Sequence, residues 1–263
     1  MNQTPSAHQQ DFDRVAASEE VYSRLFGTRN TTDVEPHPEF MQILRSVVFG
    51  DVFATGTLDF RTRELITVTV LSTLQTLPQL KVHTAAALKV GVTPVQLQES
   101  VYQLAPFLGF PRTLNALGTI SEVFTERGVH LPLPAQGTVT ETDRHARGQH
   151  IQSELYGDEI ADLLADLPGE YGQAVPNFLT DFCFGDFWTR DGLDIATREL
   201  LILVALAAAG LHPQLKAHVA GAVRSGNSVE TILAALVQGF PYMGLPLALN
   251  AIREVRGYLH DLR

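Results

Sequence analysis

Thr197-Arg198-Glu199-Leu200 opens an apolar run that reaches Leu211, and Thr62-Arg63-Glu64-Leu65 stands 135 residues before it. The same offset joins Phe49-Gly50-Asp51 to Phe184-Gly185-Asp186 and Pro78-Gln79-Leu80-Lys81-x-His83 to Pro213-Gln214-Leu215-Lys216-x-His218. It also joins Pro111-x-x-Leu114-Asn115-Ala116 to Pro246-x-x-Leu249-Asn250-Ala251, and about 25 of 80 aligned positions are identical. Four motifs at one ungapped offset are the mark of a duplicated structural unit. Earlier in each copy, Asp13-Arg14-x-Ala16 and Leu25-Phe26-Gly27 match Asp143-Arg144-x-Ala146 and Leu155-Tyr156-Gly157 at an offset of 130. The stretch from Gly128 to Gln136, followed by Gly137, Thr138 and Thr140, has linker composition. The expected organisation is a first repeat at 1–128, a linker at 129–140 and a second repeat at 141–263.

Each copy reads as helices. Asp59 or Thr62 can cap a helix running to about Thr76, and Asp194 or Thr197 does the same in the second copy. Pro78 and Pro213 suit the first turn of the next helix, which ends at Gly91 or Gly226. Further helices are expected at 95–105, 114–127, 230–238 and 248–260, with Pro106, Pro111, Pro241 and Pro246 in the breaks. No strand-like alternation competes, so the predicted fold is all-α, a tandem duplication of one helical unit.

Composition narrows the function. Of 263 residues, 45% are apolar and 18% charged, the balance of a globular chain. Nineteen Lys and Arg against 29 Asp and Glu give a formal charge of −10, with no cluster of basic residues, so no nucleic-acid partner is expected. The first dozen residues lack the apolar core of a signal peptide. The apolar run from Leu200 to Leu211 falls well short of the roughly 20 residues that span a bilayer. A cytoplasmic protein without a membrane partner is expected. The single cysteine, Cys183, rules out an intrachain disulfide and a Cys-x-x-Cys pair.

No phosphate-binding, dinucleotide, nucleophile-elbow or His-Glu-x-x-His pattern is present, and His145 and His150 are spaced wrongly for one helix face. No metal and no cofactor are expected. Glu64 and Glu199 each stand at the start of an apolar helix face, with His83 and His218 nineteen residues later on the following helix. Two readings stay open. Each carboxylate is either a first-turn residue favoured by the helix dipole beside a hydrogen-bonded core histidine, or half of a functional Glu–His pair. A simple hairpin leaves the two side chains roughly 10 Å out of level, so contact would need helix tilt, a water or a partner subunit.

The residues Thr-Arg-Glu-Leu (62–65; 197–200), Pro-Gln-Leu-Lys-x-His (78–83; 213–218) and Gly-Phe/Leu-Pro-x-x-Leu-Asn-Ala (109–116; 244–251) carry a family resemblance. The chain resembles the carboxymuconolactone decarboxylase and alkylhydroperoxidase-D superfamily, twice over, at about residues 11–128 and 141–260. The peroxidase branch resembles Glu-x11-Cys-x2-Cys-x3-His. Here the cysteine positions hold Thr76 and Gln79 in one copy and Leu211 and Gln214 in the other, which disfavours a thiol peroxidase. The decarboxylase branch fits better in the second copy, through Phe184-Gly185-Asp186-Phe187-Trp188-Thr189-Arg190-Asp191-Gly192-Leu193-Asp194. Copy one, at Phe53-Ala54-Thr55-Gly56-Thr57-Leu58-Asp59, lacks the tryptophan, the arginine and the Asp-Gly pair.

The resemblance implies a cofactor-free carboxy-lyase acting on a small anionic unsaturated acid or lactone. His218 and Glu199, with His83 and Glu64, would handle the proton, and Arg190 or Arg198 would hold a substrate carboxylate. Trp188 would be either a substrate contact or a core residue, and Arg198 either a substrate ligand or an ordinary ion pair. The alternatives are another cofactor-free proton-transfer enzyme (isomerase, dehydratase or cyclase) and a non-catalytic helical binding protein. Single-copy relatives imply trimers or hexamers, so a homotrimer of this two-unit chain is expected, with most activity at the second copy.

Overall fold

The computed structural model describes residues 12–27, 36–157, 164 and 166–261. No strand occurs among them, and equivalent helices recur in two copies, so the fold is an all-α tandem duplication. The chain divides into two compact units at Thr57 and Leu58.

The first unit contains α1 (Arg14–Phe26) and α2 (Pro38–Arg45), which continues as a π-helical segment, Ser46–Val52. Asp13 caps α1 by accepting from the amides of Val15 and Ala16. Gly50 lets the π segment approach α1, since a Cβ there would collide with the Arg14 carbonyl oxygen. Arg14 pairs with Asp51 at 3.0 Å beside a cluster of Tyr22, Phe26 and Phe49.

The second unit holds the core helices of both repeats. From copy one come α3 (Phe60–Leu74), α4 (Leu77–Lys89), α5 (Pro94–Tyr102), α6 (Ala105–Leu108) and α7 (Phe110–Glu126). From copy two come α8 (Arg144–Tyr156), α9 (Tyr171–Phe178) with its π-helical continuation Leu179–Trp188, and α10 (Ile195–Ala209). They are followed by α11 (His212–Arg224), α12 (Val229–Met243) and α13 (Leu245–Asp261). Asp59 caps α3 and Asp194 caps α10, each accepting from the amide three residues on. From Leu200 onward α10 is apolar on every face, and the helix is buried from Arg198 to Ala208, as such a helix must be. It packs on α3, α11 and α12, and α3 packs on α4, α10 and α12, so the two repeats share one core.

Helix ends show where local chemistry decides. α10 ends at Gly210 in the left-handed region, whereas α3 ends at Gln75 with φ 58°. A side chain there is disfavoured. Gln75 compensates by donating to the carbonyls of Ser72 and Arg112 and accepting from Asn115. The four prolines expected in breaks, Pro106, Pro111, Pro241 and Pro246, all lie inside helices. α12 runs through Pro241 to Met243, its buried Ile232, Ala235 and Leu236 face outweighing the lost backbone bond. α7 and α13 begin at Phe110 and Leu245, placing Pro111 and Pro246 in the first turn, where a missing N–H costs nothing. The 129–140 segment is not a loose tether: the Gln136 carbonyl accepts from the Asp191 amide, and Thr138 donates to the Thr189 carbonyl.

α8 and the following π segment cross at Gly148 and Gly185. A Cβ on Gly148 would lie 2.6 Å from the Thr180 carbonyl oxygen and 2.7 Å from the Gly185 nitrogen, backbone atoms that cannot swing aside. Gly148→Ala is therefore expected to destabilise the fold by about 1–3 kcal/mol despite alanine's better helix propensity. Urea unfolding reads this directly, and an unchanged midpoint would contradict the close crossing.

Candidate active site

In the second repeat, the first turns of α10 place Glu199 under the bundle surface, and α11 places His218 opposite it. Glu199 is fully buried, where an unpaired carboxylate would be costly. Its Oε1 accepts from the Trp188 indole N–H at 2.8 Å. Its Oε2 lies 3.0 Å from His218 Nδ1 and accepts a short hydrogen bond from the Tyr156 hydroxyl. Tyr156 Oη also stands 2.7 Å from His218 Nδ1. Tyr156 has one proton, and it goes to Glu199, so both oxygens facing Nδ1 require that nitrogen to carry a hydrogen. The assignment leaves Nε2 for other chemistry, and no described residue hydrogen-bonds it. Burial and the Glu199 carboxylate push the Tyr156 phenol well above its ordinary value, so it stays a donor.

Both Glu–His pairs touch directly, without the water or partner subunit that were the other ways to close a level difference of roughly 10 Å. Counting levels on two rods ignores helix packing and side-chain reach. In copy one, His83 Nδ1 lies 2.9 Å from Glu64 Oε2, and both are buried. The environments differ. Glu64 Oε1 has no hydrogen-bond partner among the described residues, and the counterparts of Trp188 and Tyr156 are Phe53 and Phe26, which have no donor. Each imidazole also packs against an aromatic ring of the other repeat. Phe107 of α6 meets His218 with centroids 5.5 Å apart, and its counterpart Tyr242 of α12 meets His83 at 5.3 Å. His218 keeps 12% of its side chain exposed, so its ring reaches the surface.

The arginines have a different setting from the pairs. Arg190 donates through Nε and Nη2 to Glu99 of α5, at 2.9–3.1 Å. Arg198, fully buried, donates through Nη2 to Glu99 Oε2 and to the carbonyls of Arg190 and Asp191. Burial pulls the Arg198 guanidinium down, with Glu99 opposing that. Both guanidinium groups are thus engaged by one carboxylate from the other repeat, and neither is brought to His218 by any hydrogen bond. Ala234 replaces Glu99 in copy two, and Arg63 bonds Gln238 at 2.8 Å instead. Trp188 is core, with its N–H on Glu199. Cys183 is buried, and burial together with Glu199 pushes its thiol well above the ordinary range, opposite to a reactive thiolate.

Sequence reasoning missed Tyr156, Glu99 and the Phe107/Tyr242 exchange. The usable signal was a mismatch inside the repeat: Tyr156 against Phe26, and Glu99 against Ala234. Among the described residues, no three His, Cys, Asp or Glu side chains are grouped to hold a metal, and no helix is long and apolar enough to cross a membrane.

Fold and sites together define a tandem helical protein with one carboxylate–imidazole pair in each repeat. The carboxymuconolactone decarboxylase family model matches residues 38–122 and 173–256, and the chain belongs to that family. It is similar to 4-carboxymuconolactone decarboxylase of Acinetobacter baylyi, 23% identical over 124 residues, covering 47% of this chain and 92% of that protein. It is also similar to nitrosuccinic acid decarboxylase npaB of Metarhizium robertsii, 23% identical over 115 residues, 44% of this chain and 80% of the relative. Peroxisomal protein 2 of Schizosaccharomyces pombe is 25% identical over 146 residues, 53% of this chain and 65% of its own length.

Proposed function

We propose that the protein is a cofactor-free decarboxylase in which the second repeat's His218–Glu199 pair moves the proton. The observation that carries this is the orientation of His218: Nδ1 faces Glu199 and Tyr156, and Nε2 has no hydrogen bond among the described residues. Two relatives named as decarboxylases support the reaction class. Loss of carbon dioxide leaves the electron pair of the broken C–C bond on the substrate carbon. A conjugated lactone, carbonyl or nitro group can accept that pair, and a proton returned to carbon completes the reaction. Histidine suits this delivery near neutral pH, with its second nitrogen fixed by a carboxylate. The substrate class is a small unsaturated acid or lactone. Arg190 would reach a substrate carboxylate only by releasing Glu99.

The test is a panel of γ-carboxymuconolactone, nitrosuccinate and related enolisable acids, with products followed by NMR. One carbon dioxide per substrate consumed supports the proposal. A product of unchanged mass, or one that has lost water, would replace it with isomerisation or dehydration on the same pair. Binding without turnover would make the chain a non-catalytic binder.

A homotrimer is also part of the proposal. Phe110 and Leu114 on α7, and their counterparts Leu245 and Leu249 on α13, are all exposed. Apolar exposure kept at the same positions of both repeats fits contact with further copies of this chain. Light scattering should give a mass of three chains, and a monomer at micromolar concentration would contradict it.

A further inference from the structure

The hydroxyl shared by Glu199 and His218 is admitted by a glycine. Gly221 lies on α11 one turn beyond His218, and a Cβ there would collide with Tyr156 Oη and come within 2.9 Å of Glu199 Oε2. At the repeat counterparts stand Ala86 for Gly221 and Phe26 for Tyr156. The two positions differ together between the repeats in sequence. Glycine inside a helix is unfavourable relative to alanine, so its presence at 221 calls for a local cause. The Tyr156 hydroxyl is that cause.

We propose that Tyr156, seated by Gly221, is a positioning residue that makes the second Glu–His pair the working one. Its proton is committed to Glu199 Oε2, and its oxygen lies beside Nδ1 of His218. Together with Glu199 it surrounds Nδ1 with two acceptors, which holds the ring in one tautomer and one orientation and directs proton exchange to Nε2. The Tyr156 ring packs against His218 with centroids 5.2 Å apart, which fixes the imidazole plane as well. In the first repeat, His83 Nδ1 lies 2.9 Å from Glu64 Oε2, and Nε2 faces the Tyr242 hydroxyl at a long 3.5 Å. That arrangement leaves the outer nitrogen of His83 covered by a phenol and the outer nitrogen of His218 available.

This inference rests on proton transfer at His218, so the experiment reads the histidine both with and without turnover. Tyr156→Phe, Gly221→Ala and the double variant, which installs the first repeat's Phe and Ala pair, are made in the full chain and checked for thermal unfolding. The Nδ1–H proton of His218 is followed by NMR, assigned by its disappearance in His218→Gln. Each single variant should lower kcat roughly 10- to 100-fold with little change in KM, the scale of losing a group that orients a functional imidazole. Each should also shift the Nδ1–H resonance and speed its exchange with water. The double variant should fold best of the three and be no less active than either single one, because both substitutions remove the same device. A Tyr156→Phe protein with unaltered kcat and an unaltered Nδ1–H signal overturns the proposal. If the wild type turns over none of the acids, the NMR signal alone decides: a shift upholds the positioning role while the decarboxylase proposal fails, and no shift overturns it.

Discussion

His218→Ala is expected to lower the turnover number by roughly 10²–10⁴-fold while the protein stays folded, the usual range for removing a general acid–base group. The fold survives because Glu199 keeps two donors, Trp188 Nε1 and Tyr156 Oη, so no buried charge is abandoned. His83→Ala should behave in the opposite way. Glu64 Oε1 has no partner among the described residues, and its Oε2 is bonded to His83. Removing that imidazole strands a fully buried carboxylate, which costs about 3–5 kcal/mol when a buried pair is broken. The first substitution should therefore appear in kcat and the second in the unfolding midpoint. Equal losses of activity in two folded variants would mean two equivalent sites. No loss at either would make both histidines structural.

A second large effect is expected at Glu99. It is fully buried and holds both Arg190 and Arg198, across 91 and 99 residues of sequence. Glu99→Ala leaves the Arg198 guanidinium buried with only the Arg190 and Asp191 carbonyls, so the fold should lose about 3–5 kcal/mol. The loss should be partly recovered by adding Arg198→Met, because replacing both charges by apolar groups removes the desolvation cost as well as the attraction. Denaturant melts of the single and double variants form the cycle. A single variant within about 1 kcal/mol of wild type would show the ion triad to be dispensable, and a double variant worse than the single would contradict the charge-burial argument.

What could be seen in the sequence was whatever local chemistry states locally. The Asp59 and Asp194 caps, the first-turn Pro78 and Pro213, and the apolar run of α10 from Leu200 lie where their residue types put them. The Glu–His pairs were visible as a spacing, but whether they touch was not, because level counting cannot represent how two helices pack. Pro241 misled in the other direction, since tertiary burial of α12 overrides one missing hydrogen bond. Tyr156 was hidden because a single oxygen distinguishes it from Phe26, and its meaning depends on Gly221, which only the helix packing brings near. Glu99 was hidden because its partners are remote in sequence and no periodic pattern points to them.

The central claim is that a metal-free chain uses this pair to release carbon dioxide from a small unsaturated acid. The most direct measurement is carbon dioxide evolution from γ-carboxymuconolactone and nitrosuccinate by the protein after exhaustive chelation, beside the folded His218→Ala variant. The account predicts stoichiometric release from one of the acids by the chelated wild type and a rate at least roughly 10²-fold lower for the variant. Equal rates for the two proteins, or release that disappears with chelation and returns with metal, would contradict it.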